Sequence, residues 1–217
     1  MSSQTQIFPD MPALCPETLC VSGLSLARGE LTLVRDFNLD LAPGEAVLMS
    51  GPNGTGKTSL LRAIAGFIRP EAGTIRIGEH PPTIAAAERL AWLGHADGLK
   101  PGESPRQALR FWAAMAGQPR KAILPLMRAL AIESVIDRPA GRLSRGQQRR
   151  TALVRVALAN RPIWLLDEPA GPLDGGGRAR LADLVAWHRS RGGSVIAATH
   201  QILDWPDARR IDLGTHR

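Results

Sequence analysis

The chain has 217 residues, of which 44% are hydrophobic and 22% charged, the balance of a globular protein with one sizeable core. Lys plus Arg outnumber Asp plus Glu by 27 to 20, but the basic residues are scattered, Tyr is absent and Phe numbers only 4, which argues against a nucleic-acid platform. No run of about 18 apolar residues occurs, so no segment reads as a membrane-spanning helix.

Residues 1–18 are polar and hold three prolines, and read as a flexible lead-in without the pattern of a secretion signal. Cys15 and Cys20 lack partners for a disulfide framework or a metal site and read as idle thiols. From Leu19 to Leu41 come short β-like runs, the last alternating apolar and polar residues. Ala46–Ser50 is a buried strand that runs straight into a glycine loop. Residues 57–66 read as a helix closed by Gly66. Residues 74–77 read as a strand, and Leu90–Leu93 as a further apolar segment. Residues 104–137 have a helical period with breaks at Pro119 and Pro125. A helix follows Ser144 to about Asn160, then a strand at 163–166, a helix near 178–191, a strand at 194–198 and a short tail. Strands alternating with helices imply a mainly parallel sheet wrapped on both faces, interrupted by a helical subdomain inserted at about 95–160. The rest of 19–217 reads as one domain.

Three motifs carry chemistry. Gly51-Pro52-Asn53-Gly54-Thr55-Gly56-Lys57-Thr58, followed by Ser59, fits a phosphate-binding loop between a strand and a helix. Glycines let several backbone N–H groups converge on one anion, and the helix adds its positive end. Lys57 reaches the outer phosphates, and the Thr58 hydroxyl is suited to Mg²⁺. Asp167 and Glu168 end a buried strand, where α/β sheets bind ligands. Asp167 is the expected Mg²⁺ partner and Glu168 the base that polarises the attacking water. Ser144-Arg145-Gly146-Gln147 opens a helix, a natural anion site.

In this order, Leu143-Ser144-Arg145-Gly146-Gln147 before the acid pair and Ala198-Thr199-His200 after it, the chain resembles the ABC-type ATPases over roughly residues 19–213. The resemblance implies an ATP-binding fold with a small antiparallel β region beside the parallel sheet. It implies that His200 contacts the γ-phosphate and the attacking water, and that Asp174 lies on a loop crossing a dimer interface. It also implies that Ser144, Arg145, Gly146 and Gln147 act in trans, closing over ATP held by a second copy in a head-to-tail homodimer.

Two positions depart from the family pattern. His95 falls near a position that relatives fill with glutamine, and reads either as a metal or water contact or as an ordinary loop histidine. Arg28 falls where relatives stack an aromatic ring on adenine; a guanidinium plane stacks on a base as well. Short strings, Leu93-Gly94-His95 with Gly98-Leu99-Lys100 and Gln147-Gln148-Arg149-Arg150, resemble the branch that serves haem export in bacterial cytochrome c maturation. That branch implies a peripheral subunit on the cytoplasmic face of the inner membrane, bound to integral membrane subunits. ATP hydrolysis there drives haem export or release of a haem-loaded chaperone. No Cys-x-x-Cys-His occurs, and the chain itself is not expected to bind haem. The alternative is the ATPase subunit of a different ABC exporter.

Overall fold

The computed structural model describes residues 7–29 and 31–215, with the side chains of 84–87 and 215 left aside. Strands β1 (Leu19–Arg28), β2 (Leu31–Leu41) and β4 (Ala72–Ile77) form an antiparallel sheet in the order β2-β1-β4. Strands β3 (Ala46–Ser50), β5 (Leu90–Leu93), β6 (Ile163–Asp167), β7 (Ser194–Ala198) and β8 (Arg209–Asp212) form a second, all-parallel sheet in the order β5-β6-β7-β3-β8. β6 and β7 are buried at every position, as a sheet covered on both faces requires.

The sequence reads β2 as two runs. The structure joins them through Asp36, whose φ of 47° makes an irregularity in the pairing with β1 rather than a strand end. The tail contains β8, which pairs with β3 along Val47 to Ser50. Its sequence, Arg-Arg-Ile-Asp, is largely exposed and carries no apolar alternation, so nothing in the residue pattern announces it.

Between β5 and β6 lies the helical region, with α3 (Pro105–Met115), α4 (Ile123–Ala129) and α5 (Arg145–Ala159). Pro125 does not break a helix. It sits in the first turn of α4, where a missing N–H leaves no acceptor unpaired. α3 and α5 start alike: Ser104 and Ser144 accept a hydrogen bond from the N3 backbone, and Gln107 and Gln147 reach back to the cap. Asn160, in the left-handed conformation, ends α5. α1 (Lys57–Ile64), α2 (Pro82–Arg89) and α6 (Gly175–Ser190) complete the α/β core.

Apolar side chains form two clusters. One fills the space between the antiparallel sheet, α1 and one face of the parallel sheet, around Leu19, Phe37, Leu60 and Leu165. The other runs from the opposite face into the helical region, around Leu109, Leu130, Leu153 and Trp164. The lead-in joins the second cluster. Residues 1–6 lie outside the described residues, but Phe8, Met11 and Leu14 are buried, and Phe8 stacks on Trp187 of α6 at 5.2 Å. The Pro12 carbonyl accepts hydrogen bonds from Asn160 and Arg191. Three apolar side chains spaced by three residues suffice to hold a segment whose prolines forbid a helix.

His188 on α6 is buried and stacks on Trp164 with ring centroids 3.8 Å apart. Desolvation, reinforced by the nearby Arg191 charge, lowers its pKa from 6.5 to about 3. Its folded pKa is therefore below its unfolded one. The neutral ring contributes stability that is intact above pH 6.5 and is lost as pH falls from there toward 3. Urea denaturation should show this residue alone costing about 2 kcal/mol at pH 5 relative to pH 7.5. A His188→Asn variant should lack that share of the pH dependence, whatever its overall loss of stability.

Candidate nucleotide site

All strands of the main sheet point the same way, so their carboxyl ends share one edge. Four neighbouring strands each deliver one segment there. β5 leads to His95, β6 to Asp167 and Glu168, β7 to His200, and β3 to the loop 51–56 and α1. Backbone bonds fix these exits. The Glu168 N–H donates to the Ala198 carbonyl at 2.8 Å, and the Thr199 N–H to the Met49 carbonyl at 3.0 Å.

The loop needs glycine. Gly51, Gly54 and Gly56 all have positive φ, and Gly56 serves as the N-cap of α1 with φ 95°. A Cβ on Gly56 would stand 3.0 Å from Val34 and 3.1 Å from Leu33. Thr55 bonds back to the Pro52 carbonyl, and the buried Lys57 ammonium donates to the carbonyls of Gly51 at 2.6 Å and Pro52 at 2.9 Å. The lysine thus folds over the loop whose N–H groups it complements.

An open cavity of about 450 Å³ spans this edge. Asn53, Gly54, Gly56, Lys57, Thr58 and Ser59 line one side, and His95, Glu168 and His200 the other. Arg28, Leu31 and Leu33 border it at the antiparallel sheet. Leu31 and Leu33 went unsingled in the sequence, although their i, i+2 spacing on a strand puts them on one face.

Thr58 Oγ1 lies 3.1 Å from both oxygens of Asp167, joining the phosphate loop to the acid pair. Burial pushes the Asp167 carboxyl up; the Thr58 hydrogen bond opposes this and the Glu168 charge adds to it. A hydroxyl and a carboxylate side by side form a hard-oxygen donor set of the kind Mg²⁺ prefers. Among the described residues no three His, Cys, Asp or Glu gather into a metal cluster, so such an ion would take its remaining ligands from phosphate and water. Glu168 is a non-glycine residue at φ 48°, a conformation that costs about 1–3 kcal/mol and marks functional positions. Its Oε2 stands 3.0 Å from His200 Nδ1, with the histidine side chain 60% exposed.

Ser144, Arg145, Gly146 and Gln147 are not among the residues lining this cavity. They form the N-terminus of α5, with Ser144 and Arg145 exposed and Gly146 and Gln147 half-buried. Gly146 is packed close, since a Cβ there would lie 3.2 Å from the Pro172 carbonyl. Asp174, on the same loop, caps α6 by accepting from the Gly177 N–H at 2.7 Å.

Arg149 stands out in sequence only as part of the Gln147-Gln148-Arg149-Arg150 string, and its inward orientation is new in the structure. The residue is 3% exposed, and its guanidinium donates to the Gly94 carbonyl at 2.9 Å and the His95 carbonyl at 3.2 Å and stands 3.2 Å from Asp97. Burial pushes the Arg149 pKa down and that of Asp97 up, in each case outweighing their mutual attraction. An arginine in a helix surface run gives no sign in sequence of facing inward.

A phosphate loop, an acid pair on the next strand but one, and a capped helix arm inserted between strands define an ATP-binding cassette. The ABC transporter family model matches residues 34–171. The chain is 78% identical over 213 residues, 98% of its length and all of the relative's, to a cytochrome c biogenesis ATP-binding export protein of Maricaulis maris. It is 42% identical to the protein of the same name from Ruegeria pomeroyi, over 92% of this chain and 93% of that one. Among solved structures, an ABC transporter ATP-binding protein from Pyrococcus furiosus superposes with a TM-score of 0.80 at 25% identity, covering 92% of this chain and 98% of its own. A dimeric bacterial ABC transporter cassette superposes with a TM-score of 0.79 at 22% identity, covering 90% and 95%.

The chain belongs to the ABC transporter family and, within it, to the cytochrome c biogenesis ATP-binding export proteins. Membership makes it an ATP-hydrolysing transporter subunit.

Gly56→Ala tests the loop directly. It should lose about 1–2 kcal/mol of stability from the left-handed backbone alone. It should also weaken ATP binding by roughly tenfold or more, because the N–H groups at the start of α1 are displaced. Isothermal titration with ATP and a urea melt would separate the two.

Proposed function

We propose that this chain is the ATP-hydrolysing subunit of a membrane complex in cytochrome c maturation, powering haem export or the release of a haem-loaded chaperone. The observation that carries the branch is the near-complete, 78% identical match to a cytochrome c biogenesis export protein. The mechanism rests on the cavity at the sheet edge.

ATP lies in that cavity with its phosphates on the loop 51–56 and α1. Backbone N–H groups and Lys57 hold the β- and γ-phosphates, and Ser59 extends the same helix end. Leu31, Leu33 and Arg28 lie at the outer end, where the base rests on apolar carbons and a guanidinium plane rather than an aromatic ring. Thr58 and Asp167 would hold Mg²⁺, with His95 facing the same space. The ion, when bound, neutralises charge developing on the phosphate oxygens. Glu168 accepts a proton from the attacking water, and His200, beside it, donates to the γ-phosphate.

The α5 N-terminus supports a sandwich of two copies. The exposed Ser144 and the half-buried Gly146 belong to a positively biased helix end that lies outside the chain's own cavity. Facing the phosphates of a second copy would satisfy it, with Asp174 and its loop at the seam. The head-to-tail homodimer closes on ATP and opens after hydrolysis.

Docking to integral membrane subunits falls to the helical region. α3 exposes Phe111 and Met115 at 58% and 67%, beside a groove of about 260 Å³ lined by Trp92, Trp112 and Arg155. Exposed apolar side chains grouped at a groove mark an interaction surface. No helix among the described residues is long and apolar enough to cross a membrane, which fits a peripheral subunit on the cytoplasmic face of the inner membrane.

Two measurements bear on this reading. Glu168→Gln should cut ATP turnover by at least a hundredfold and trap an ATP-dependent dimer visible by sedimentation; a monomer under saturating ATP would count against the sandwich. A pull-down from solubilised bacterial membranes should recover cytochrome c maturation proteins. Recovery of a different permease instead would keep the ATPase and discard haem.

A further inference from the structure

We propose that Arg149 is a positioning residue that ties the His95 segment of one nucleotide site to the helix whose end closes the other. The inference rests on the two-copy sandwich described above.

Arg149 lies on α5, little more than one turn from Ser144 and less than one turn from Gly146. Its guanidinium is buried and spans two consecutive carbonyls, Gly94 and His95, with Asp97 as a third contact. A planar fork of donors meets two adjacent acceptors in one fixed orientation, which a single ammonium does not impose. The segment it holds contributes His95 to the phosphate cavity. His95 itself is exposed, so its own packing does not fix its position. The backbone on either side of it is fixed by Arg149 instead.

The cost of this arrangement is informative. Two charges are withdrawn from water; Arg149 Nε has no hydrogen-bond partner, and Asp97 Oδ1 is met only by the ion pair at 3.2 Å. A buried ion pair of this kind adds little stability over apolar packing. Its return is geometric: α5 and the His95 segment move as one piece. In the sandwich, the N-terminus of α5 touches the γ-phosphate held by the partner copy, while His95 faces the γ-phosphate of its own copy. One rigid helix therefore reports the state of each site to the other. ADP lacks the γ-phosphate that both ends address, so its binding lies outside this link.

The experiment uses the full chain in a Glu168→Gln background, with ATP-dependent dimer formation followed by sedimentation. Arg149→Met should raise the ATP concentration for half-dimerisation by about tenfold and make the ATP response less steep. MgADP affinity should change by less than about twofold. Arg149→Lys keeps the charge but not the fork, and should give an intermediate shift. His95→Ala removes the positioned side chain without touching the buried pair. It should reproduce the shift, and the Arg149→Met/His95→Ala double variant should be no worse than the poorer single one, because interacting residues are non-additive. If the Met variant fails to fold, Arg149→Lys and His95→Ala carry the same comparison. A merely structural Arg149 would lower ADP affinity and the melting temperature together, and its effect would multiply with that of His95→Ala. Unchanged ATP midpoints in both Arg149 variants would overturn the proposal. Failure of Glu168→Gln alone to dimerise would instead sink the sandwich on which it rests.

Discussion

A parallel sheet has one carboxyl edge, and the cavity with its acids, histidines and phosphate loop follows from that. The four strands β5, β6, β7 and β3 lie side by side, so four segments distant in sequence leave the core within reach of one ligand. The hydrogen-bonded register sets their depth. Asp167 pairs with Ala198 and Ala198 with Met49, which puts the acid pair, the histidine and the phosphate loop at the same level. No side-chain contact between the segments is needed to bring them together. The contacts that do exist, Thr58 to Asp167 and Glu168 to His200, refine a placement that the backbone has already made.

That edge concentrates groups that are costly to fold. Asp167 is buried with its carboxyl pushed up, Glu168 holds a left-handed backbone, and Lys57 is buried against loop carbonyls. The burial of Asp167 and of Lys57 would be offset by a polyanion with its cation, whereas the backbone strain at Glu168 would remain. The site is therefore less stable than the sheet that carries it, as binding sites commonly are. Stability resides elsewhere, in two apolar clusters on opposite faces of the sheet and in the capped helices.

Much of this was legible from residues. The phosphate loop announces itself because only glycines permit its curl, and the buried strands because they are unbroken apolar runs. Ser144 reads as a helix start because its hydroxyl can serve an N–H three residues on, which it does. What stayed hidden shares a physical cause. β8 is an edge strand held by backbone bonds, and backbone bonds leave no pattern in side chains. The lead-in looked loose because its prolines dominate the eye, whereas three isolated apolar residues decide its packing. Arg149 belongs to a run of arginines, and which of them faces inward depends on a loop some fifty residues away. Pro125 reads as a break in sequence because its effect depends on its place in the turn, which sequence leaves open by a residue or two.

The lead-in also shapes how the helical arm can move. Its Pro12 carbonyl is gripped by Asn160, at the end of α5, and by Arg191, just past the end of α6. Asn160 and Arg191 also bond each other at 2.8 Å. The C-terminal end of α5 is thus doweled to the core, while its N-terminal end is exposed. α5 has 15 residues, giving a lever about 22 Å long with its fulcrum at Asn160. A swing of about 10° around that fulcrum would carry Ser144 about 4 Å while leaving Asn160 in place. Small rotations at the pinned end are in this way amplified at Ser144.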